Sequence, residues 1–324
     1  MHKRLVNHCT IELSLIPDGP ILIKSGKEGA DPTKPDMEFV ETYHQDGRTI
    51  YLPGSSLKGA IRAHAERIVR SIGSDSKPTN PNLLWANDPL NDNYDYLKDR
   101  KDKQKKLSPP EIHLHSSFTD RLFGNTSIAS RLRIEDAYPT DRTQLKLEER
   151  NGVAIDRVFG SVAVGPFNYQ VCTGGEFKTK IHLKNFTLAQ LGLIGLVLRD
   201  LNDGWFGLGF TKSRGLGTVR VQYEQAIVQY PACVLNSENQ ISLLGHSNLS
   251  WNHTTLLGVG AFLEESERDR YGFPKDDRLD TPVSAEAMPL GFGVQLTWHG
   301  NTVTDLFERS VKAWKKVVMS GATS

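Results

Sequence analysis

Cysteine is scarce in this sequence, and its placement excludes two kinds of small domain. The 324 residues include three cysteines, Cys9, Cys172 and Cys233, and none of them forms a CxxC pair. Disulfide frameworks and zinc modules need cysteines at short, paired spacings, so neither is indicated. A chain of this length buries a core large enough to fold without such cross-links. We therefore expect a protein of the reducing cytoplasm.

Long apolar runs and an excess of charge are also missing. No stretch approaches the roughly 18 apolar residues of a membrane span, and residues 1–15 lack the apolar core of a signal peptide. We expect no membrane partner. The 39 Lys and Arg residues nearly balance 38 Asp and Glu residues, which leaves a net charge of +1. Any contact with nucleic acid therefore requires basic residues that are gathered locally.

The order of elements predicts a ferredoxin-like (RRM-like) α+β fold. Alternating or apolar stretches predict strands, and apolar residues at helical spacing predict helices. The main predicted elements are a strand at 10–16, a helix at 57–72, strands at 131–137 and 177–183, a helix at 188–201 and a strand at 218–222. Short strands at 153–155 and 161–164 are expected between them. This order is βαββαβ with insertions.

Two insertions and a C-terminal extension complete the predicted organisation. Residues 37–52 have the pattern of an inserted hairpin around the turn 44–47, and residues 74–110 form a polar insertion with a basic run at 98–106. That insertion is either a solvated segment or a lid that contacts RNA or a neighbouring subunit. The domain is expected to span 1–225. Residues 226–324 show few clear strands and end in an amphipathic helix at 305–319.

The first candidate site is the start of the helix after Pro53. Three residues are expected to open this helix: Gly54, Ser55 and Ser56. The free N–H groups and the positive end of the helix dipole favour an anion at such a place. Lys58 and Arg62 lie four residues apart on one helical face and repel each other unless an anion lies between them. A phosphate is the predicted ligand, and a capped helix with two solvated cations is the alternative.

The second candidate site is a glycine-rich loop at 207–217. The residues expected to hold phosphate there are Gly207, Gly209, Lys212, Ser213, Arg214, Gly215 and Gly217. Glycine allows close backbone approach to a ligand, while the cations and hydroxyl add donors. The spacing matches neither a Walker A motif nor a Rossmann turn. A flexible surface loop without a ligand is the alternative.

Carboxylates and histidines supply the remaining candidates. Asp31 and Asp36 lie in a loop rich in Gly and Pro, where a carboxylate is usually only solvated. His64 falls within the predicted helix, where a satisfied or solvated imidazole is the ordinary outcome. His113 and His115 alternate as on a strand edge and lack further ligands for a metal site.

Several motifs, in a fixed order, carry a family resemblance. They are YLPGSSLKGAIR at 51–62, LFG at 122–124 with RLRIEDA at 131–137, NGVAIDR at 151–157, GGEF at 174–177 and GLGFTKSRGLGTV at 207–219. Together they resemble the RAMP superfamily of CRISPR-associated proteins. Within that superfamily, the likeness is greatest to the repeated backbone (Csm/Cmr-like) subunit of type III effector complexes. The segment 20–26 departs from the His-Ile-Gly type of turn that this family often has.

The resemblance implies a subunit that grips CRISPR guide RNA while target RNA pairs with the guide, beside other RAMP subunits and a large subunit. It also implies endonuclease cleavage of target RNA, dependent on a divalent cation such as Mg²⁺. One Asp in the loop before the hairpin carries this activity; Asp36 fits best and Asp31 is the second choice. The hairpin 37–52 would act as a thumb. A catalytically silent scaffold subunit and a stand-alone repeat-processing ribonuclease are the alternatives.

Overall fold

A computed structural model describes residues 3–26, 35–44, 47–80, 83–88, 90, 94–97, 107–245 and 249–322. Its strands are β1 (His8–Pro17), β2 (Glu41–His44), β3 (Gly47–Ile50), β4 (Leu132–Ile134), β5 (Tyr138–Pro139), β6 (Lys146–Ile155), β7 (Val162–Gly174), β8 (Phe177–Lys184), β9 (Val219–Tyr230), β10 (Cys233–Leu235), β11 (Gln240–Leu243), β12 (Ser250–Asn252), β13 (Thr255–Leu257), β14 (Arg278–Asp280), β15 (Glu286–Ala287) and β16 (Val294–His299). Its α-helices are α1 (Gly54–Ile72), α2 (Pro109–His115), α3 (Asp120–Phe123), α4 (Leu188–Asn202), α5 (Glu265–Tyr271) and α6 (Val303–Ala322).

The main sheet confirms the predicted ferredoxin-like arrangement. Its central part has the order β9-β1-β8-β4, and every neighbouring pair is antiparallel. Helix α1 connects β1 to β4, and helix α4 connects β8 to β9. With β1, β4, β8 and β9 as the four core strands, this is the βαββαβ fold with spatial order 4-1-3-2.

The C-terminal region contributes strands to this same sheet. The boundary expected after residue 225 falls inside β9, which continues to Tyr230. Strand β16 pairs with β9, and β15 pairs with β16 at the sheet edge. The expectation of few strands after 225 is wrong, because β10 to β16 all follow that position. Most of them are two to four residues long, too short to show a period.

The helices cover one face of the sheet and enclose the core. Alternate residues of β1, including Cys9, Ile11 and Leu13, are buried in a hydrophobic cluster shared with α1, α4 and α6. Helices α4 and α6 approach each other closely at two glycines of α4. A Cβ atom added at Gly192 would lie 2.4 Å from the carbonyl oxygen of Ser310, and one at Gly195 would lie 2.7 Å from the Phe307 side chain. The C-terminal helix is therefore part of the core.

Two hairpins lie beside the main sheet, and the longer one projects into solvent. The short hairpin β2–β3, within the predicted 37–52 insertion, is held down at its tip, because Arg142 donates to the carbonyl oxygens of His44 and Gly47. The longer hairpin β6–β7, named the arm here, is exposed over most of β6 and the first half of β7. Val158 and Phe159 at its tip are largely exposed.

The insertion 74–110 is described only in part. The basic run 98–106 lies outside the described residues, as does Asp31. The described part packs through Trp85, whose ring meets the edge of Tyr96 at a centroid distance of 4.9 Å. Across the described ranges, no helix is long and apolar enough to cross a bilayer.

The α4–α6 contact gives a stability prediction. Gly192→Ala should lower the free energy of unfolding by about 1–3 kcal/mol, because the new methyl group has no space against backbone atoms that cannot move aside independently. Gly59→Ala is the matched control: Gly59 is an exposed α1 residue with no atom within 4 Å of its added Cβ. There the substitution should raise stability by about 0.5–1 kcal/mol. Urea denaturation of both variants checks the pair, and equal effects would contradict the tight packing of α6 on α4.

Candidate nucleic-acid interface

The face of the sheet opposite the helices is polar and open. On β1 the residues between the buried ones are His8, Thr10 and Glu12, all half-buried, and on β8 the exposed Lys178, Lys180 and Lys184 point the same way. Successive side chains of a strand point to opposite faces, so one-sided helix packing leaves this set to solvent.

Charges on part of this face neutralise one another. Lys178 Nζ lies 2.7 Å from Glu224 Oε1, and Lys180 Nζ lies 2.6 Å from Glu12 Oε1. Ser14 also donates to Glu224 and to Glu176. This part of the sheet therefore offers little positive charge to a polyanion.

A basic cleft opens where this face meets the β4 edge and the start of α1. It has a volume of about 460 Å³, and its polar and charged lining includes His8, Ser55, Lys58, Ser130, Arg133, His182 and Lys184. Arg133 has a carboxylate partner, the half-buried Glu135 at 2.9 Å. Among the described residues, Lys58 and Lys184 have none, and Lys58 donates only to Ser130 Oγ. The cleft therefore presents free cations to an anionic ligand.

Two histidines, His8 and His182, also line the cleft. The rings of His8 and His182 lie 5.6 Å apart, and His182 also contacts Thr10 Oγ1 and Glu135 Oε1. Burial, followed by the neighbouring His182, Arg133 and Lys184, lowers the pKa of His8 below 6.5. An anion bound beside His8 would counter that repulsion and favour the protonated ring.

The start of α1 differs from the sequence expectation. Pro53 is the N-cap residue, and neither Ser55 nor Ser56 caps the helix. Instead, the carboxylate of Asp136 accepts the N–H of Gly54 at 2.7 Å. Gly54 is required for packing, since an added Cβ would lie 2.3 Å from the Ile134 carbonyl oxygen. The chain's own carboxylate thus occupies the position predicted for a phosphate.

Arg62 also differs from expectation, because its half-buried guanidinium is bonded to the chain's own carboxylates. It donates to Glu66 at 2.7 Å, to Asp120 at 3.0 Å and to the Gly124 carbonyl oxygen at 3.0 Å. Asp120 is 1% exposed and accepts a further hydrogen bond from Tyr96. Arg62 is therefore a structural cation that neutralises buried carboxylates.

Lys58 is half-buried at the cleft. Burial and then the nearby Arg62 guanidinium lower the pKa of Lys58 from its usual value. An anion in the cleft would therefore stabilise the charged ammonium group of Lys58.

The glycine-rich loop packs against the segment after β1. Phe210 N–H donates to the Leu22 carbonyl oxygen at 2.7 Å, and Gly217 N–H donates to that of Pro20 at 2.8 Å. Gly209 and Gly217 have positive φ angles of 80° and 95°, and an added Cβ at either would lie within 2.2 Å of a carbonyl oxygen. These glycines serve the fold of the loop. The residues left to contact a ligand are the exposed Lys212, Ser213, Arg214 and Gly215, and across the described ranges the two cations have no ion pair.

An aromatic stack that the sequence reasoning missed lies beside the open face. His44 stacks on Tyr138 at a centroid distance of 3.7 Å, and Tyr51 stacks on Tyr138 at 5.8 Å. His44 and Tyr138 border a second open cavity together with Lys180 and Glu12. Such rings can stack on nucleobases. His44 and Tyr51 belong to one hairpin, but Tyr138 lies 87 residues beyond Tyr51, so no local pattern connects it to them.

Asp36 is exposed beside the middle of the arm. Its Oδ2 accepts the N–H of Asn168 in β7 at 2.8 Å, and Met37 N–H donates to the Asn168 carbonyl oxygen. In the part of the chain that the structure describes, no group of three or more His, Cys, Asp or Glu residues is placed to hold a metal ion. A metal at Asp36 would need ligands in addition to the described residues.

Comparison with known families agrees with this architecture. The model of the RAMP superfamily matches residues 17–220, more than half of the chain. The chain belongs to the RAMP superfamily. A search of the curated proteins returns no match. Membership supports a CRISPR-associated RNA-binding module, and the RAMP match includes α1, the arm and the glycine-rich loop.

The network around Arg62 gives a prediction for this RAMP protein. Arg62→Ala should lower the free energy of unfolding by about 2–3 kcal/mol, because Asp120 stays buried without its cation. RNA affinity of the folded variant should stay unchanged. Arg67→Ala, an exposed position on the same helix, is the control and should alter stability by less than about 0.5 kcal/mol. A stable Arg62→Ala variant with weakened RNA binding would restore Arg62 as an RNA contact.

The cleft histidine predicts a pH dependence. RNA affinity should rise as the pH falls towards the lowered pKa of His8 and level off below it, since a phosphate favours the protonated ring; the rise is at most about tenfold per pH unit for uptake of one proton. His8→Gln should flatten this dependence, while His299→Gln, exposed on β16, should keep it. Fluorescence anisotropy with labelled RNA from pH 5.5 to 8 measures both. An unchanged slope in His8→Gln would remove His8 from the interface.

Proposed function

We propose that this chain is a guide-binding backbone subunit, of the Csm/Cmr-like kind, in a type III CRISPR effector complex. The observation that carries the proposal is the unequal pairing of cations. Lys178 and Lys180 are neutralised on the open face, whereas Lys58 and Lys184 in the cleft, and Lys212 and Arg214 in the glycine-rich loop, have no carboxylate partner among the described residues. Free cations at defined places suit a phosphate backbone.

Such contacts position RNA without reading its sequence. A guide-holding subunit must accept any guide, so phosphate contacts are suitable and base-edge contacts are not. Specificity for the target then comes from base pairing with the guide.

The cation pattern gives a direct test. The double variant Lys58→Ala/Lys184→Ala should lose about tenfold or more in guide affinity at low salt, and the slope of log K against log salt should fall by about 1.5–2, since two phosphate contacts are removed. Lys178→Ala/Lys180→Ala removes equal charge from paired lysines and should change much less. Equal losses in the two double variants would show that only net charge matters, which would contradict the proposed interface.

The arm is the better candidate for the thumb. The hairpin 37–52 was expected in that role, but its tip is tied to Arg142. The arm instead projects with Ile155, Val158 and Phe159 exposed. Apolar side chains can insert between bases and unstack them. We therefore assign to the arm the separation of adjacent nucleotides in the guide–target duplex.

Cleavage of target RNA is the second part of the proposal. Asp36 is bonded to Asn168, about halfway along β7 of the arm, and we place the displaced nucleotide beside it. A displaced nucleotide can place its 2′-hydroxyl in line with the adjacent phosphate; attack forms a 2′,3′-cyclic phosphate and releases the 5′-hydroxyl. One carboxylate suits Mg²⁺, which uses one or two protein carboxylates with substrate phosphates and water. Bound there, the ion would neutralise charge on the scissile phosphate.

Asp36→Ala tests this part within the assembled complex. Cleavage of paired target RNA at this subunit should fall by about 10²-fold or more, while guide binding stays intact, because Asp36 lies outside the basic cleft. Asp31→Ala is the parallel variant for the second-choice carboxylate. Unaltered cleavage in both variants would contradict the catalytic role and favour a non-catalytic scaffold subunit. The hydrogen bond from Asn168 to Asp36 also suits a purely structural carboxylate.

A further inference from the structure

Trp205 differs from the other tryptophans of this chain. Its side chain is 68% exposed, whereas Trp85, Trp251, Trp298 and Trp314 are at most 8% exposed. Tryptophan is buried on average, and an exposed large ring often marks a binding surface. Trp205 follows helix α4 and directly precedes the glycine-rich loop.

A cation supports one face of the exposed ring. The guanidinium carbon of Arg199 lies 5.7 Å from the centroid of Trp205. Arg199 is itself fixed, because its Nε and one terminal nitrogen donate to Asp200 Oδ1 at 2.9 and 2.7 Å. With one face covered and most of the side chain exposed, the opposite face is open to a planar ligand.

The loop that carries Trp205 is anchored from inside. Trp205 N–H donates to the Asp200 carbonyl oxygen at 2.9 Å. The next residue, Phe206, stacks on His64 at 4.3 Å, and His64 is bonded to the Asp200 carboxylate at 2.8 Å. The backbone that carries the ring is thus held in place before any ligand arrives, which reduces the entropy lost on binding.

The glycine-rich loop that follows Trp205 carries two exposed cations. The two ends of this loop lie side by side, since a Cβ atom added at Gly207 would lie 3.1 Å from the carbonyl oxygens of Leu216 and Gly217. The exposed Lys212 and Arg214 lie on the turn between these two ends. An aromatic face followed by free cations is the combination that binds single-stranded nucleic acid.

We propose that Trp205 stacks on a nucleobase of single-stranded RNA. This deepens the guide-binding function above and rests on it. The base lies on the ring face opposite Arg199, and its flanking phosphates lie towards Lys212 and Arg214. Stacking accepts any base, as a guide-holding protein requires.

Tryptophan emission tests the proposal, since Trp205 is the exposed reporter. A 12-nucleotide oligouridine should quench the emission of the full-length protein, and an oligonucleotide of equal length with abasic riboses should not. Trp205→Ala should bind oligouridine roughly tenfold more weakly and leave abasic affinity unchanged. Trp205→Phe, which keeps a ring, should retain affinity within about threefold and lose the quenching.

The outcomes separate the two proposals. Oligouridine binding without quenching, or equal loss of both ligands in Trp205→Ala, would overturn the stacking role and leave guide binding intact. Unchanged RNA affinity in Trp205→Ala together with lost association of another subunit would make Trp205 a protein contact instead. Failure of the unaltered protein to bind any RNA would overturn the proposed function itself.

Discussion

Strand β1 lies near the centre of the main sheet, and the longest helices pack against only one of its faces. This one-sided packing determines what the rest of the molecule can do. Apolar residues such as Ile11 and Leu13 are enclosed with the helices, so the alternate positions face solvent and carry polar groups. The C-terminal helix α6 reinforces the arrangement by packing on α4 at Gly192 and Gly195. The open face, its basic cleft and the loops at its ends follow from this division.

Charge pairing then separates structural cations from available ones. Arg62 is held by Glu66 and Asp120, and Lys178 and Lys180 are held by glutamates. Lys58 and Lys184 lack such partners in the described part of the chain. A near-zero net charge is compatible with RNA binding because neutralisation is local. Asp136, at the start of α1, likewise has a structural role, because it accepts a hydrogen bond from a backbone N–H group.

The sequence predicted the long helices well, from helical spacing in α1 and α6 and from an apolar run in α4. Helix α4 was expected at 188–201 and spans Leu188–Asn202, and the order of elements correctly indicated the ferredoxin-like frame. Long-range contacts were not predictable from local pattern. Asp136 is 82 positions from Gly54, and Asp120 is 58 positions from Arg62. The motif at 51–62 therefore gave no sign that either group would bond to a carboxylate of the chain. The arm was underestimated for another reason: much of β6 is exposed on both faces and shows no alternation.

The central claim is that RNA lies over the unpaired cations and avoids the paired ones. Lysine footprinting measures this directly, by acetylation of the full chain with and without guide RNA, followed by mass spectrometry. The account predicts that RNA protects Lys58, Lys184 and Lys212 while Lys178 and Lys180 react at the same rate in both states. Protection of Lys178 and Lys180 to the same extent as Lys58 and Lys184, or no protection in the cleft, would contradict it.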